Sequence, residues 1–425
     1  STDGGGASVK PDYDVLIAGG GMVGASLALC LHHHGRGKLR VAVVESFPLP
    51  PLNAEGPSYR PSFDARSTAL SFGSRQIYET VGLWQTLRDH LAEISQIQVS
   101  DRGHFGGAVM RADELQWPAL GYVVENAWLG NVLLNHLRQH SNVSFISPAT
   151  VESVSLVTGA ATLDVRRDET VESLSASLLV VADGAGSGLC DRLGIHRRVD
   201  EYAQTAVIAN IATERSHQGV AYERFTAEGP LAMLPLLPDE QGHSRSALVW
   251  TFPEEDADAA MNWSDEEFLR RLQEQFGYRL GRLMKVGQRA SFPLQLSVAE
   301  EQVRRHVVVM GNAAHALHPV AGQGYNLALR DADALAQEVA AAAEAGESPG
   351  ELAVLQRYLR GQYGDQLLTT LFSDRVTRLF SNRQPVLSLA RNLGLALLDS
   401  HPPLKSRFTA RAAGVMNGRR RELPL

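Results

Sequence analysis

The sequence predicts an α/β protein: a Rossmann-like nucleotide-binding domain with an inserted antiparallel-sheet domain, followed by C-terminal helices. Three observations favour this fold. Apolar strands run into glycine-bearing loops near residues 19–24, 183–188 and 311–326. Short stretches that alternate apolar and polar residues, typical of strands, lie between these loops. Beyond residue 343 the spacing of apolar residues is helical.

The first glycine loop joins an apolar strand at residues 15–18 to a helix that starts near residue 25. In a βαβ unit of this kind, Gly19 allows the tight turn and Gly21 lets the backbone approach a pyrophosphate. Gly24 lets the helix pack closely against the strand. The pattern predicts a dinucleotide site, although a glycine turn in an ordinary α/β domain would look similar. It does not separate NAD from FAD.

Residues around this loop supply further groups for a nucleotide. Met22 and Val23 stand at the helix start, where free N–H groups and the helix dipole favour phosphates. Glu45 ends the second strand, 21 residues beyond Gly24, where a carboxylate accepts hydrogen bonds from a ribose. Arg66 could reach a pyrophosphate through its guanidinium group, or could equally be a surface arginine near a helix start.

The composition excludes several classes of protein. The chain has 425 residues, which is room for two or three domain-sized units, and its formal net charge of −7 argues against nucleic-acid binding. Only Cys30 and Cys190 are present, so we expect a reducing cytoplasm. No apolar run is long enough to span a bilayer, and residues 1–10 are expected to be a disordered lead-in. We expect no metal site, because the run His32–His34 sits where a helix ends, and cations are favourable there.

The patterns divide the chain into three regions. We predict a nucleotide-binding domain from residues 9–73, 127–200 and 300–345, a second domain from 74–126 and 201–299, and a C-terminal helical region from 346–425. In the second domain, the strand-like run at residues 231–236 is either a pocket wall or plain core. The candidate wall residues of this domain are Phe225, Met233, Leu234 and Pro235.

Two further strand ends carry polar residues and glycines. Asp183 and Gly184 follow the apolar run at residues 178–182, where doubly wound sheets bind ligands. After the run at 307–310 comes a longer loop that leads into a helix. The loop includes Asn312, Pro319, Gly322, Gln323, Gly324, Tyr325 and Asn326, which the resemblance described next makes candidate cofactor-binding residues. The three strand-end loops can converge on one elongated cofactor.

These motifs resemble the single-component flavin-dependent aromatic hydroxylases, relatives of para-hydroxybenzoate hydroxylase. The matching pieces are Gly19-x-Gly21-x-x-Gly24, Asp183-Gly184-Ala185-Gly186-Ser187, and Gly311-Asn312-Ala313-Ala314-His315 with Pro319 and Gly322-Gln323-Gly324-x-Asn326. The run from 312 to 324 is most similar to the ubiquinone-biosynthesis branch, in particular the 2-polyprenyl-6-methoxyphenol hydroxylases. Two positions depart from the family pattern: Asn312 stands where aspartate is usual, and Cys190 where arginine is usual.

The resemblance implies a tightly but non-covalently bound FAD, a transiently bound NADPH or NADH, and O2 as the source of the oxygen atom added to a prenylated phenol. It places Pro319 beside the flavin ring, and the amides of residues 322–325 where they would stabilise negative charge near flavin N1. His315 and His318 are candidate proton relays or packed histidines. Two alternatives stay open: a redox-silent FAD- or lipid-binding scaffold subunit of a quinone-biosynthesis complex, and a flavin hydroxylase of another aromatic substrate.

The C-terminal region indicates contact with a membrane or a partner. Apolar residues at positions 386, 389, 390, 393 and 397 share one helical face. Residues 405–421 carry six cationic and no acidic side chains, which suits an anionic lipid surface. We therefore expect a cytoplasmic protein with peripheral membrane contact or a partner in a biosynthetic complex. A packed helix and a solvated basic tail would give the same pattern.

Overall fold

The computed structural model of this protein describes residues 10–101, 107–184, 186, 188–226, 228–317 and 323–381. The strands, in chain order, are β1 (Tyr13–Ala18), β2 (Val41–Val44), β3 (Ser67–Ser71), β4 (Ala92–Ile94), β5 (Gln96–Asp101), β6 (Gly107–Arg111), β7 (Gly121–Glu125), β8 (Ser144–Ile146), β9 (Thr150–Val157), β10 (Ala160–Arg167), β11 (Thr170–Val181), β12 (Arg197–Thr213), β13 (Val220–Phe225), β14 (Pro230–Pro235), β15 (Ser244–Pro253), β16 (Leu283–Val286), β17 (Ala290–Ala299), β18 (Val303–Arg304), β19 (Val307–Val309) and β20 (His315–Ala316). The helices are α1 (Met22–His34), α2 (Phe72–Thr80), α3 (Trp84–Leu87), α4 (Asn126–His140), α5 (Gly188–Arg192), α6 (Glu254–Asn262), α7 (Asp265–Phe276), α8 (Gln323–Glu344) and α9 (Leu352–Ser381).

The first sheet is built around the βαβ unit that the first glycine loop predicts. Its parallel strands have the order β19-β11-β1-β2-β8, and β18 pairs antiparallel with β19. β9 and β10 extend β11 as an antiparallel ribbon. Val15 and Ile17 of β1 pack in the cluster shared with α1, α4 and α8, whereas Leu16 packs in a second cluster with the ribbon and α5. Burial on both faces explains why this strand reads as a continuous apolar run.

The second sheet has the order β20-β17-β12-β15-β14-β13-β5-β6, with β16 paired to β12. Its pairs are antiparallel, as predicted, except that β13 and β5 run parallel. Helix α7 covers one face and packs Phe268 and Leu272 in the same cluster as Trp250. The hydroxyl of Ser264 accepts a hydrogen bond from the Glu267 amide at 3.1 Å, which confirms the predicted helix start. The other face borders a cavity.

A small antiparallel sheet of order β3-β7-β4 lies between these two. β3 precedes the predicted domain boundary at residues 73 and 74, and β7 follows it, so this sheet joins residues from both predicted regions. β7 leads directly into α4, whose apolar spacing the sequence predicts. The indole N–H of Trp128 in α4 donates to the carbonyl oxygen of Leu87 at 2.9 Å.

Helices α8 and α9 pack together beside the first sheet, and α8 starts at the third glycine motif. The first turns of α9 bury Val354, Leu355 and Tyr358. Within the described residues, no helix combines the length and the apolar character needed to cross a membrane. The apolar and basic segments predicted at 386–397 and 405–421 lie outside the described residues.

Candidate active site

A cavity of about 1150 Å³ lies where the strand ends of the first sheet meet the second sheet. Of the residues that the sequence predicts to bind a cofactor, those that line it are Gly19, Gly21, Met22, Val23, Glu45, Arg66, Asp183, Gly184, Asn312, Gly324 and Tyr325. All three glycine-bearing loops therefore contribute to one site. Parallel strands explain this convergence, because their carboxyl ends share one edge of the sheet.

The space around the glycines of the first loop differs from position to position. Gly19 has a φ of +113°, and a Cβ there would lie 2.4 Å from the carbonyl oxygen of Ala182. A Cβ on Gly24 would lie 1.8 Å from the carbonyl oxygen of Gly19. A Cβ on Gly21 would meet nothing within 4 Å. The fold itself therefore needs Gly19 and Gly24, whereas Gly21 leaves room for a ligand.

The start of α1 is available to an anion. Gly21 is its N-cap residue, and no side chain caps the helix. The first N–H groups of a helix, here including those of Met22 and Val23, have no intrahelical acceptor. Both residues line the cavity. Free N–H groups and the positive end of the helix dipole suit a phosphate.

Two alanine substitutions in this loop should have different consequences. Gly24→Ala should lower the free energy of unfolding by about 1–3 kcal/mol, because the new methyl group meets fixed backbone. Gly21→Ala should leave that free energy nearly unchanged and raise the dissociation constant for FAD about 10-fold or more, the equivalent of about 1.4 kcal/mol. Urea unfolding of apoprotein and fluorescence titration with FAD measure the two effects.

Gly130→Ala in α4 is the matched control, because a Cβ there also meets nothing within 4 Å and Gly130 does not line the cavity. A Gly21→Ala protein that binds FAD as tightly as the Gly130→Ala protein would contradict the expectation.

Glu45 stands at the end of β2, as predicted, and its carboxylate already has protein partners. Oε2 accepts a hydrogen bond from the Gly20 amide at 2.5 Å. Oε1 accepts from the amide of Ser46 at 2.9 Å and from its hydroxyl at 3.2 Å. Glu45 thereby ties the glycine loop to β2 while it lines the cavity. The Phe47 amide also donates to Oε1, at 3.4 Å, so Oε2 is the oxygen that keeps a lone pair for a ribose hydroxyl.

Arg66 keeps one nitrogen for a ligand. Its Nη2 donates to the carbonyl oxygen of Gln288 at 3.1 Å. Its Nη1 is buried and has no hydrogen-bond partner among the described residues. A guanidinium nitrogen in the wall of a cavity, without a protein acceptor, suits a phosphate oxygen. Together with the open space over Gly21, it shows that the residues present fit a dinucleotide such as FAD.

The two asparagines of the third motif occupy different environments. Asn312 is exposed in the cavity wall. Asn326 is buried and does not line the cavity. Its Oδ1 accepts from the Ser71 amide at 3.0 Å and the Ser74 hydroxyl at 2.5 Å, and its Nδ2 donates to the Ala69 carbonyl at 2.9 Å. This side chain joins α8 to β3 and α2, and the predicted contact of Asn326 with the cofactor stays a prediction.

The hydroxyl of Tyr325 belongs to a hydrogen-bonded group of three side chains that the sequence pattern did not single out. It bonds to the hydroxyl of Tyr78 and lies 3.3 Å from the hydroxyl of Ser26. Burial raises the pKa of Tyr325 to about 12. Tyr325 therefore stays protonated at neutral pH, and the group that it can offer a ligand is its backbone N–H at the start of α8.

Part of the third motif lies outside the residues that the structure describes. His318, Pro319 and Gly322 lie outside the described residues, so their predicted places beside the flavin stay predictions. Gln323 is the first residue of α8, and Gly324, which follows it, lines the cavity.

The second sheet forms the other wall, and strand alternation decides which predicted wall residues reach it. Phe225 and Leu234 line the cavity, whereas Met233 and Pro235 do not. Met233 is fully buried in the cluster that contains Phe268 of α7. Successive side chains of a strand point to opposite faces, and here Met233 faces α7 whereas Leu234 faces the cavity. Lining residues that the sequence pattern did not single out include Ile208, Asn210, Glu223, Val249, Thr251, Phe292, Pro293 and Gln295.

The described histidines belong to no group that could hold a metal ion. His315 is buried in β20, and burial lowers the pKa of its imidazole to about 4. It is therefore neutral at physiological pH, which fits a packed histidine better than a proton relay. His34 ends α1, and its Nε2 lies 2.7 Å from Oδ1 of Asp333. Within the described part of the chain, no cluster of histidine, cysteine or acidic side chains could hold a metal ion.

A family model described as FAD binding domain matches residues 12–359, which is most of the chain. The chain belongs to this family. Ubiquinone hydroxylase UbiL of Rhodospirillum rubrum is 35% identical over 408 residues, covering 95% of this chain and 90% of that protein. The 3-demethoxyubiquinol 3-hydroxylase of Escherichia coli is 30% identical over 405 residues, covering 95% and 98%.

Solved structures of two monooxygenases share the fold. The p-nitrophenol 4-monooxygenase PnpA from Pseudomonas putida has a TM-score of 0.76 at 22% identity and covers 96% of this chain and 98% of its own. PqsL, a probable FAD-dependent monooxygenase from Pseudomonas aeruginosa, has a TM-score of 0.71 at 21% identity and covers 90% and 99%. Its family and its curated relatives show that this protein is a flavin-dependent aromatic monooxygenase whose cofactor is FAD.

Proposed function

We propose that this protein uses FAD, NAD(P)H and O2 to hydroxylate a prenylated phenol in ubiquinone biosynthesis. The observation that carries the proposal is the cavity, because it joins nucleotide-binding strand ends to an apolar sheet wall. Such a wall suits a ring with a prenyl chain, because each Å² of apolar surface removed from water makes the free energy of binding more favourable by about 25 cal/mol. The names of the two relatives, which are ubiquinone-pathway hydroxylases, support this substrate class.

The polar side of the cavity offers a group for each part of FAD. The pyrophosphate would bind the N–H groups at the start of α1 and the free Nη1 of Arg66. The ribose of the adenosine would donate hydrogen bonds to Glu45. Asn312 would accept a hydrogen bond from the ribityl chain, as an amide oxygen can. Asp183 and Gly184 would flank the cofactor between its adenosine ribose and its ribityl chain.

When FAD is bound, it supplies the redox chemistry, taking up hydride from NAD(P)H and activating O2. The chain itself contributes position, electrostatics and dryness. The amides of Gly324 and Tyr325, at a helix start, would stabilise negative charge on the reduced flavin ring. Phe225, Leu234 and Val249 exclude water from the space in which the phenol ring would react.

NAD(P)H needs another place to bind. Residues 19–24 carry the complete dinucleotide fingerprint of this sequence, and FAD would occupy it. We infer that NADPH or NADH binds transiently in a groove rather than in a second nucleotide-binding fold. Comparing the two nucleotides as reductants of the holoenzyme would decide between them.

The purified holoenzyme and 2-allyl-6-methoxyphenol, a short-chain analogue of a prenylated phenol, test the proposed function. We expect the phenol to stimulate NAD(P)H oxidation in stopped-flow measurements, and mass spectrometry to find a product with one added oxygen atom. If the phenol neither stimulates NAD(P)H oxidation nor gives a hydroxylated product, the result would favour the redox-silent scaffold. Product from unrelated phenols alone would favour another aromatic substrate.

We further propose a cytoplasmic protein with peripheral contact to a membrane or to a complex partner, because a polyprenyl substrate must leave the membrane to react. Helix α9 supports this with Tyr363, Leu367 and Leu371, which are spaced by four residues and are 62%, 42% and 40% exposed. Liposome flotation should fall when all three become serine. Equal flotation of wild type and variant would reject the membrane contact.

A further inference from the structure

Glu223 places an ionisable group in an otherwise uncharged wall of the cavity. It lies in β13, where its strand partners are Ala232 of β14 and Val99 of β5. It lines the cavity together with Phe225 and Leu234. Of the described lining residues that the second sheet contributes, Glu223 alone is ionisable.

No described residue gives the Glu223 carboxyl a hydrogen bond or an ion pair. Burial raises the pKa of this carboxyl, and no neighbouring cation offsets the effect. A carboxylate in an apolar wall costs free energy unless a donor reaches it. Because the cavity is open beside it, a ligand can provide that donor.

We propose that Glu223 accepts a hydrogen bond from the phenolic hydroxyl of the substrate and thereby selects rings that carry a free hydroxyl group. This inference rests on the proposed function and adds a specificity-determining residue to it. At the alkaline pH of the binding test below, the carboxyl is ionised, so it can accept a hydrogen bond but cannot donate one. A ring whose hydroxyl is methylated has no hydrogen to give, so its binding would leave the carboxylate unpaired.

Binding of two matched probes to FAD-saturated, oxidised protein at alkaline pH tests the inference without turnover. The probes are 2-allyl-6-methoxyphenol and its methyl ether, and the change in the visible flavin spectrum reports each dissociation constant. Wild type should bind the phenol about 10- to 100-fold more tightly than the ether, as expected for a hydrogen bond to a charged group.

Glu223→Gln keeps the size of the side chain but adds an amide donor that can serve the ether oxygen. The preference for the phenol should therefore shrink to about threefold or less. Glu223→Asp keeps a carboxylate and should keep the direction of the preference. Glu172→Gln is the control: Glu172 is exposed on β11 and does not line the cavity, so this variant should keep the wild-type ratio.

A Glu223→Gln protein with the wild-type preference would overturn the inference, and so would a wild type that binds both probes equally. In either case, wild type that still hydroxylates the phenol would leave the proposed function standing. A wild type that neither binds nor hydroxylates the phenol would overturn both.

Discussion

Arg245→Met should lower the free energy of unfolding by about 3–5 kcal/mol, because it leaves a buried carboxylate without its countercharge. Nη2 of Arg245 lies 3.0 Å from Oε1 of Glu125, and the two side chains are 0% and 6% exposed. Nη1 donates to the carbonyl oxygens of Ser62 at 2.9 Å and Phe63 at 3.0 Å. Nε donates to the carbonyl oxygen of Leu237 at 3.0 Å. The substitution also removes the donors of these three carbonyl groups.

Urea unfolding of the apoprotein, followed by tryptophan fluorescence, measures this loss. Arg166→Met is the control, because Arg166 and Glu152 form an ion pair on the surface and such pairs contribute about 0–1 kcal/mol. Adding Glu125→Gln to Arg245→Met should recover at least about half of the loss, since it removes the unpaired charge. Equal losses in the Arg245→Met and Arg166→Met proteins would refute the argument.

The same ion pair positions the cofactor site. Residues 62–65 precede Arg66, and Arg245 in β15 of the second sheet bonds the carbonyl oxygens of Ser62 and Phe63. Nδ2 of Asn210, also in the second sheet, donates to the carbonyl oxygens of Phe63 at 2.9 Å and Ala65 at 2.8 Å. Arg245→Met should therefore also weaken FAD binding, because Arg66 would lose its fixed place in the cavity wall.

Local patterns in the sequence were sufficient for the elements that enclose the nucleotide side of the cavity. The run at residues 15–18, the glycines at 19–24 and the run at 41–44 predicted strand, turn, helix and strand, and the structure confirms them. The return of residues 143–146 to this sheet is confirmed as β8. In each case a short apolar run, a turn residue and a helical period agree with one another, so neighbouring residues decide the structure.

Contacts between distant parts of the chain were beyond the same reasoning. No local pattern indicated that the side chain of Asn326 bonds to Ser71 and Ser74, more than 250 residues earlier. Met233 and Leu234 looked equally suitable for a wall, because the sequence does not say which face of β14 a helix covers. Glu223 gave no signal either, since its environment depends on strands brought together from separate parts of the chain.

The pH dependence of stability should depend strongly on Asp331, a buried carboxyl on α8. Burial, with a smaller effect of nearby Asp365, raises the pKa of Asp331 to about 7. Asp331 accepts hydrogen bonds from the amides of Gln362 at 2.8 Å and Gln366 at 3.2 Å. The nearby guanidinium of Arg330 is instead paired with Asp365, at 2.8 Å. Among the described residues, the carboxylate of Asp331 thus has neutral donors but no cation of its own.

A carboxyl whose pKa is raised in the folded state binds more protons there than in the unfolded chain, so stability falls as pH rises. The contribution of Asp331 is fully present below its ordinary pKa of 3.8 and is lost as pH rises through about 7. Between pH 5 and pH 8 the loss should be about 2–3 kcal/mol. The lowered pKa of His315 acts in the opposite sense, since its contribution is lost as pH falls from about 6.5 to about 4.

Asp331→Asn should abolish this loss, because an amide of the same size stays neutral at every pH. The free energy of unfolding is therefore compared between wild type and variant at each pH from 5 to 8, so that His315 and other groups cancel. The free energy of unfolding of the variant should increase relative to that of wild type as pH rises. Glu344→Gln, at an exposed position of the same helix, should keep the wild-type slope. If Asp331→Asn also keeps that slope, the carboxyl is ionised in the folded protein throughout this range, and the contact between α8 and α9 tolerates a buried charge.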